Sequence, residues 1–556
     1  MQDQINSLIK DALSELYQLD ESIELDRPEE QFGDYSTNVA LKLAAKLSKS
    51  PQDISNELAA KLKENPLFSE VNVAGPGFIN LKLSNQALVD IALSQPSKSL
   101  EGKTVVAEYS DPNPFKLLHA GHLYTSIVGD SIANLMAAAG ANVHRVNFGG
   151  DVGLHVAKNI WAMLGDLGGE NPDNLAKINE DDRSTWLSSC YVKGTEAYEN
   201  DETAKAEIRE LNKRIYEITA SSDHDAPLAK IYWTTRDWSY KYFEDFYARL
   251  GVKFEKYYPE SEVSGLGVET VRQHIPDVYK ESQGAIVFEG ENHGLYTNVF
   301  INSEGLPTYA AKDVGLIMRK WQDYNYDKSV IITGNEQADY MRVVIKSVEQ
   351  FAPEKVSGSV HLTHGLVKLP GGQKMSSRQG NVLLATDILD LAQEAIKSRD
   401  LNSDPRITVG AVKYAFLKQG MGGDIVYDAN ESVSIEGNSG PYLQYAYARA
   451  VSISNKAENS DDFDLKSVDT LTDYERSLVR KLGEYPEVIN KAVNELKPHH
   501  VAGYLYDLAQ TFNRFYENSR VIGDERQNLR LALLKLYVSK LGDGLKLLGI
   551  EPIDKV

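Results

Sequence analysis

Thr104-Val-Val-Ala-Glu-Tyr109, followed by Ser110-Asp-Pro-Asn-Pro-Phe-Lys-Leu-Leu-His119-Ala-Gly121-His122, is the stretch that sets the architecture of this chain. Its first part is a short, mostly apolar run that reads as a buried strand. The turn rich in Pro and Asn ends that strand, and a helix is expected from about His119 to Ala139, with Gly140 as its cap. Val143 to Val146 then begins another strand. Strand, helix, strand is a βαβ unit, which predicts a parallel sheet with ligands beyond the strand ends. Similar strand signals recur at Gly284-Ala-Ile-Val-Phe288 and Ser329-Val-Ile-Ile-Thr-Gly334.

The flanking segments differ in character. Ile5, Leu8, Ile9, Ala12 and Leu16 fall at helical spacing, and Val39 to Leu47 is again helix-like. Val71-Asn-Val73 and Ile79-Asn-Leu81-Lys-Leu83 alternate like strands on either side of Gly75-Pro76-Gly77. A small α+β unit ending near Ser99 is expected. Residues from about 166 to 230 are polar and acidic and read as a helical insertion with a solvated face. From about Glu436 the pattern is helical to the end. Val501, Leu505, Leu508, Phe512 and Phe515 form one apolar stripe, and Leu529, Leu533 and Leu536 another. Gly549 and Pro552 terminate the last helix.

A chain of 556 residues exceeds one ordinary core, so three or so domains are expected. Charged residues at 25% and hydrophobic ones at 42% exclude a disordered chain, a collagen-like fibre and a small disulfide scaffold. The one cysteine, Cys190, closes no intrachain disulfide and builds no Cys-rich zinc cluster, which fits a reducing, cytoplasmic home. The opening residues lack a signal-peptide pattern, and no apolar run is long enough for a transmembrane helix. The net charge of −21 argues at first against nucleic acid, whose phosphates need Lys and Arg.

Two motifs carry chemistry. His119 and His122, three apart at a helix start, point into the space above the strand end. Gly121 between them lets something approach the backbone, and the helix N-terminus favours an anion such as a phosphate. By itself His-x-Gly-His also fits a metal pair or a surface coincidence. The second motif, Leu369-Pro-Gly-Gly-Gln-Lys374-Met375-Ser376-Ser-Arg378-Gln-Gly380-Asn381, is small, polar and glycine-rich with two cations. That composition fits a mobile loop closing over a phosphate chain, or a solvated surface turn. Both motifs in this order, on these elements, make coincidence the weaker reading.

His-Ala-Gly-His and Lys-Met-Ser resemble the two signatures of class I aminoacyl-tRNA synthetases. Ser110-Asp-Pro-Asn113-Pro-Phe-Lys116 is similar to the arginyl-tRNA synthetase version. So are Asn147-Phe-Gly-Gly-Asp151-Val-Gly153, Pro307-Thr-Tyr309-Ala-Ala-Lys-Asp313 and the run from Glu436 to Arg449. Phe32-Gly-Asp-Tyr-Ser-Thr-Asn38 and Gly75-Pro-Gly-Phe-Ile-Asn80 resemble that family's N-terminal domain, and Leu548-Gly-Ile-Glu-Pro552 its closing helix. The resemblance spans nearly the whole chain. It implies a multidomain α/β protein. An α+β N-terminal domain over 1–100 would contact the tRNA elbow. A Rossmann-like catalytic domain over 101–435 would carry the insertion, and an all-α bundle over 436–556 would bind the anticodon.

The resemblance further implies an ATP-dependent ligase that joins L-arginine to tRNA(Arg) through arginyl-adenylate, releasing pyrophosphate and AMP. Magnesium would accompany ATP, and no protein-ligated metal is expected. His119, Gly121, His122, Lys374, Met375, Ser376 and Arg378 would bind ATP. His119, His122, Lys116 and Lys374 would carry catalysis. The second lysine common in the class I loop is Ser377 here, and Lys116 matches the lysine thought to compensate in arginyl enzymes. Ser110, Asn113, Asn147, Tyr309, Asp313 and Gln337 would hold arginine, with Asp313 taking the guanidinium in a fork. Without the resemblance, Tyr309 and Asp313 read as an ordinary helix pair. Activation that requires bound tRNA, a monomer and no membrane partner are also implied.

A class I enzyme for cysteine is disfavoured because the expected zinc-binding Cys cluster is absent, and one for glutamate by the negative charge of Asp313. A tRNA-binding module without catalysis is disfavoured because both motifs are present. The charge also divides unevenly. From Leu471 onward there are 13 basic and 12 acidic residues, against 46 and 68 before it. Arg514, Arg520, Arg526, Arg530, Lys535 and Lys540 are thus expected to offer phosphate contacts on the last bundle, the remaining acidity limiting nonspecific RNA binding.

Overall fold

The structure is a computed structural model that describes residues 1–371, 383–399, 404–456 and 463–555. At the N-terminus the helix Gln2–Tyr17 buries Ile5, Ile9, Ala12 and Leu13. With helices Val39–Leu47 and Pro51–Leu62 it covers an antiparallel sheet in which Phe78–Leu83 lies between Tyr35–Thr37 and Phe68–Ala74. The alternation Ile79, Leu81, Leu83 supplies the buried face of the central strand.

The middle of the chain is built on a five-stranded parallel sheet. Strand β1 (Thr104–Glu108) leads through helix α1 (Ala120–Ala138) to β2 (Asn142–Gly149). A helical block separates β2 from β3 (Lys256–Pro259). Helix α2 (Glu260–Gln273) and helix α3 (Tyr309–Tyr324) precede β4 (Lys328–Gly334), and helix α4 (Ala338–Glu349) connects β4 to β5 (Ser359–His364). The strand order is β3-β2-β1-β4-β5. The chain therefore winds outward from β1 in one direction, then restarts at β4 on the other side, which leaves a crevice at the carboxyl ends of β1 and β4. Val105, Val106, Val330, Ile331 and Ile332 are buried on both faces, as a covered parallel sheet requires.

Gly284–Phe288 does not join this sheet, contrary to the sequence expectation. Ala285–Phe288 lies in a separate antiparallel sheet between Lys280–Ser282 and Asn298–Ile301. The physical reason is the connection: two residues, Gln283 and Gly284, close a hairpin but cannot make the crossover that parallel pairing needs.

Between β2 and β3 the chain is helical from Leu154–Leu167 through Arg183–Asn200 and Glu202–Ser221 to Pro227–Leu250. These helices share a core that includes Val156, Ile160, Leu187, Cys190, Ile208, Ile215 and Tyr232. After the sheet domain the chain is again mostly helical, ending in His499–Asn518 and Gln527–Leu547. α1 is buried on nearly all sides because this helical region covers the face that the sheet does not. The chain end returns to it: the Ser131 hydroxyl donates to the Leu547 carbonyl at 3.0 Å, and the buried Lys413 ammonium donates to the Gly549 carbonyl at 2.7 Å.

Three of the cations expected to meet phosphate face inward. Arg526 and the buried Arg530 both donate to the Glu475 carboxylate, and the buried Lys540 donates to the Ser94 carbonyl. A sequence count of charges cannot separate a cation at the surface from one neutralised in a core.

Candidate functional site

The crevice is a cavity of about 520 Å³. The chain leaving β1 enters it through a contorted loop: Ser110, Asp111 and Phe115 have φ of +75°, +48° and +68°. Such a conformation is costly for residues with a Cβ and persists where surrounding bonds fix it. Ser110 Oγ accepts from Ser126 Oγ at 2.9 Å and lies 2.7 Å from the Tyr247 hydroxyl. Asp111 accepts the Phe148 N–H at 2.7 Å, and the Asn113 side chain accepts the Gly150 N–H at 2.9 Å. The loop is thus tied to the end of β2.

The two histidines form the start of α1. His119 is the N-cap; its Nδ1 accepts the Gly121 N–H at 3.1 Å, and its own N–H donates to His122 Nδ1 at 3.2 Å. The rings stack 3.8 Å apart. A Cβ on residue 121 would lie 2.9 Å from the His119 ring, so glycine is what admits this arrangement. Burial, reinforced by the charge of Lys116, pushes His119 down to about 4. Burial and the neighbouring His119 push His122 well below its ordinary value. Each ring is therefore neutral near pH 7, with Nδ1 accepting and the proton on Nε2. The pair offers two N–H donors rather than two cations, at the positive end of a helix dipole.

The cavity is also acidic. Glu108, Asp111, Glu260, Asp313 and Glu336 all line it. The buried Glu108 is paired with Lys320 and the buried Glu260 with Lys312. Asp111 and Asp313 have no ion pair among the described residues. Burial, with the charge of Glu108 second, holds the Asp111 carboxyl well above its usual range. Burial pushes Asp313 up to about 7, although its hydrogen bond from the Tyr340 hydroxyl pulls the other way. Asp313 reaches this floor because α2 and α3 cross in close contact. A Cβ on Gly267 would lie 1.9 Å from the Ala311 carbonyl oxygen, and one on Gly315 2.2 Å from that of Val263.

Of the residues singled out by sequence, Ser110, Asn113, His119, Gly121, His122, Tyr309, Asp313 and Gln337 line this one cavity. Tyr309 is exposed at the mouth, its hydroxyl 3.4 Å from His155 Nδ1. Asn147 lies behind the wall, its amide donating to the Tyr247 hydroxyl at 3.3 Å, and so acts on the cavity through Tyr247 and Ser110. Lys116 does not line the cavity; its ammonium stands over the Tyr191 ring. Lys374, Met375, Ser376 and Arg378 lie outside the described residues. The chain from Leu383 on is tied to the residues flanking His119: the Ala120 N–H donates to the Leu383 carbonyl and the Ala385 N–H to that of Leu118, both at 2.9 Å.

Sequence reasoning missed Glu108, Asp111, Glu260, Glu336, Tyr340 and His364, all of which line the cavity. Glu108, an acid closing an apolar strand, was the clearest available signal. Tyr340 carried none, since only the packing of α4 beside α3 brings it to Asp313. Among the described residues no group of three or more His, Cys, Asp or Glu is arranged to hold a metal ion.

Comparison with known proteins covers the whole chain. Residues 84–428 match the family described as tRNA synthetases class I (R), catalytic domain. Residues 3–83 match the arginyl tRNA synthetase N terminal domain, and 443–556 the DALR anticodon binding domain. The arginine–tRNA ligase of Clostridium perfringens is 31% identical, with 98% of this chain and 97% of that protein covered. That of Porphyromonas gingivalis is 29% identical with 95% of each covered. The arginyl-tRNA synthetase structures from Thermus thermophilus and Plasmodium falciparum are each 24% identical over 100% of this chain, with TM-scores of 0.79 and 0.80, a likeness of fold.

Proposed function

The chain belongs to the arginyl-tRNA synthetase family, and from that premise we propose that its cleft holds arginine on the carboxylate side and ATP on the histidine side. The enzyme is an ATP-dependent arginine–tRNA ligase. The arginine carboxylate attacks the α-phosphorus of ATP to give arginyl-adenylate and pyrophosphate. The terminal ribose hydroxyl of the tRNA then takes the arginyl group and AMP leaves. Neither step needs a covalent enzyme intermediate, so catalysis rests on positioning and charge stabilisation.

The observation that carries the arginine assignment is the charge balance of the floor. Glu108 and Glu260 are neutralised by their lysines, whereas Asp111, Asp313 and Glu336 are not paired among the described residues. Arginine brings two cations, a guanidinium and an ammonium. In this reading Asp313 accepts the guanidinium, held in place by Tyr340, and Tyr309 closes the mouth. Ser110, Asn113 and Gln337 supply neutral contacts, with Asn147 supporting Ser110 from behind.

On the other side the Nε2–H groups of His119 and His122 donate to the phosphate oxygens as charge builds on them. Gly121 admits the stacked pair, and Lys116, Lys374 and Arg378 add positive charge, with Met375 and Ser376 in the same motif. Magnesium arrives with ATP, bound by the nucleotide's own phosphates. The bundle over 436–556 reads the anticodon and the domain over 1–100 the tRNA elbow, with the sheet domain over 101–435 between them. The enzyme works as a cytoplasmic monomer, for which the single buried thiol Cys190 suits a reducing compartment.

ATP–pyrophosphate exchange over the twenty amino acids, with and without tRNA(Arg), tests the proposal. Exchange is expected with arginine alone among them, and only when tRNA is present. Equal exchange without tRNA would overturn the tRNA requirement, and exchange driven by another amino acid would overturn the substrate assignment.

A further inference from the structure

Lys116 sits on an aromatic face. Its ammonium is 3.9 Å from the ring centre of Tyr191, on the insertion helix Arg183–Asn200. Two more lysines meet insertion tyrosines in the same way, Lys158 over Tyr198 at 4.5 Å and Lys312 over Tyr216 at 5.7 Å.

Both partners of the first pair are held from the backbone. Phe115, the residue before Lys116, has φ +68°; its N–H donates to Ser239 Oγ at 2.9 Å and its carbonyl accepts from the Asn159 amide at 2.8 Å. Its ring lies in the same core as Leu187 and Cys190 of the insertion helix. Tyr191 lies one turn before Gly194, where a Cβ would stand 1.9 Å from the Lys158 carbonyl oxygen. The insertion helix thus touches the backbone of Leu154–Leu167, and this contact sets the ring against Lys116. The charge of Lys116 is felt in two directions. It adds to burial in lowering His119, His122 and His155, and it helps bring the Tyr191 phenol below its usual value where burial alone would raise it.

We infer that Tyr191 of the insertion is a positioning residue for Lys116, its ring face fixing the ammonium within electrostatic reach of the histidine pair. A carboxylate in that place would hold the lysine equally well but cancel its charge. An aromatic face holds it and leaves the charge available to a phosphate. The inference rests on Lys116 acting on ATP, and it gives the insertion a part in the reaction.

The test is exchange kinetics of the full chain with tRNA and arginine for K116A, Y191L, Y191F and the double variant K116A/Y191L. Tyr191→Gln serves as a second ring-less variant, with thermal unfolding of each recorded. Y191L and Y191Q are expected to lower kcat about tenfold with the arginine KM unchanged, the size of a desolvated cation–π contact. Y191F, which keeps the ring face, should stay near the wild type, and Y191L should add nothing in the K116A background. Equal losses for Y191F and Y191L, or a Y191L loss that persists in full beside K116A, would overturn the positioning role. A slow K116A with a wild-type Y191L would overturn it as well. A K116A enzyme of wild-type rate would instead remove Lys116 from the reaction, and the inference with it.

Discussion

Asp313 accepts a hydrogen bond from the hydroxyl of Tyr340, and this neutral donor is its hydrogen-bond partner at the floor of the cleft. A buried carboxylate served among the described residues by a neutral donor alone has its cation still to come.

Asp313→Asn is therefore expected to raise the arginine KM by on the order of 100-fold, the loss typical when one partner of a buried charged pair is removed. The ATP KM should hardly move. Tyr340→Phe should act in the same direction but less, because losing the donor raises the Asp313 pKa further. Exchange kinetics with each substrate varied in turn would check both.

Arginine binding should be linked to proton release. The free enzyme holds Asp313 at about 7, and the guanidinium needs the carboxylate. Apparent arginine affinity should rise as pH increases from about 5.5 to about 7 and level off above. Calorimetry in buffers of different ionisation enthalpy reads the protons directly. The sign for folding is the reverse: with its native value above that of an unfolded Asp, this group binds more protons in the fold and removes stability as pH rises from about 4 to about 7.

His122→Ala should lower kcat on the order of 100-fold by removing a donor to developing charge. The wild-type profile of kcat against pH, at saturating arginine, should show no histidine limb near 6.5. Burial already keeps His119 and His122 neutral there. A limb that vanishes in the variant would contradict neutral N–H donors.

Gly315→Ala should separate α2 from α3, because its Cβ would meet the Val263 carbonyl oxygen. Overpacking of this kind costs about 1–3 kcal/mol. The expected result is a lower unfolding temperature together with a raised arginine KM, since Asp313 rides on α3.

The N-terminal domain is fastened to the C-terminal helices through Asp34. This buried carboxylate accepts from Arg476 at 2.8 Å and from the Leu83 N–H at 2.8 Å, with Arg480 at 3.3 Å. Asp34→Ala leaves two guanidinium groups short of their partner, for about 3–5 kcal/mol. Faster limited proteolysis near residues 84–100 and a raised tRNA KM are expected, with arginine and ATP KM values unchanged.

The catalytic architecture was legible in a few signals. The apolar run Thr104–Glu108, the turn after it and the helix capped at His119 gave the βαβ unit, because strand and helix periods are local properties of the chain. Ser110, Asn113, His119, Gly121 and His122 of the first histidine stretch, with Tyr309, Asp313 and Gln337, also came together in one cavity, whereas Lys116 did not. The antiparallel placement of Ala285–Phe288 was missed because an apolar strand looks alike in either kind of sheet, and its short connection is what decides the pairing.

By itself the sequence determined which groups are available: two histidines at a helix start, an acid one turn after Tyr309, and strand signals at Thr104–Tyr109 and Ser329–Gly334. Only the tertiary structure decided their state. It made the histidines neutral donors, because burial penalises a charge that no sequence position reveals. It paired Glu108 and Glu260 with lysines 212 and 52 residues away while leaving Asp313 to Tyr340. It turned Arg526, Arg530 and Lys540 inward and stood Lys116 on Tyr191 of the insertion. Desolvation and pairing depend on which distant segments pack together, and those are sums over the whole fold rather than properties of any one stretch.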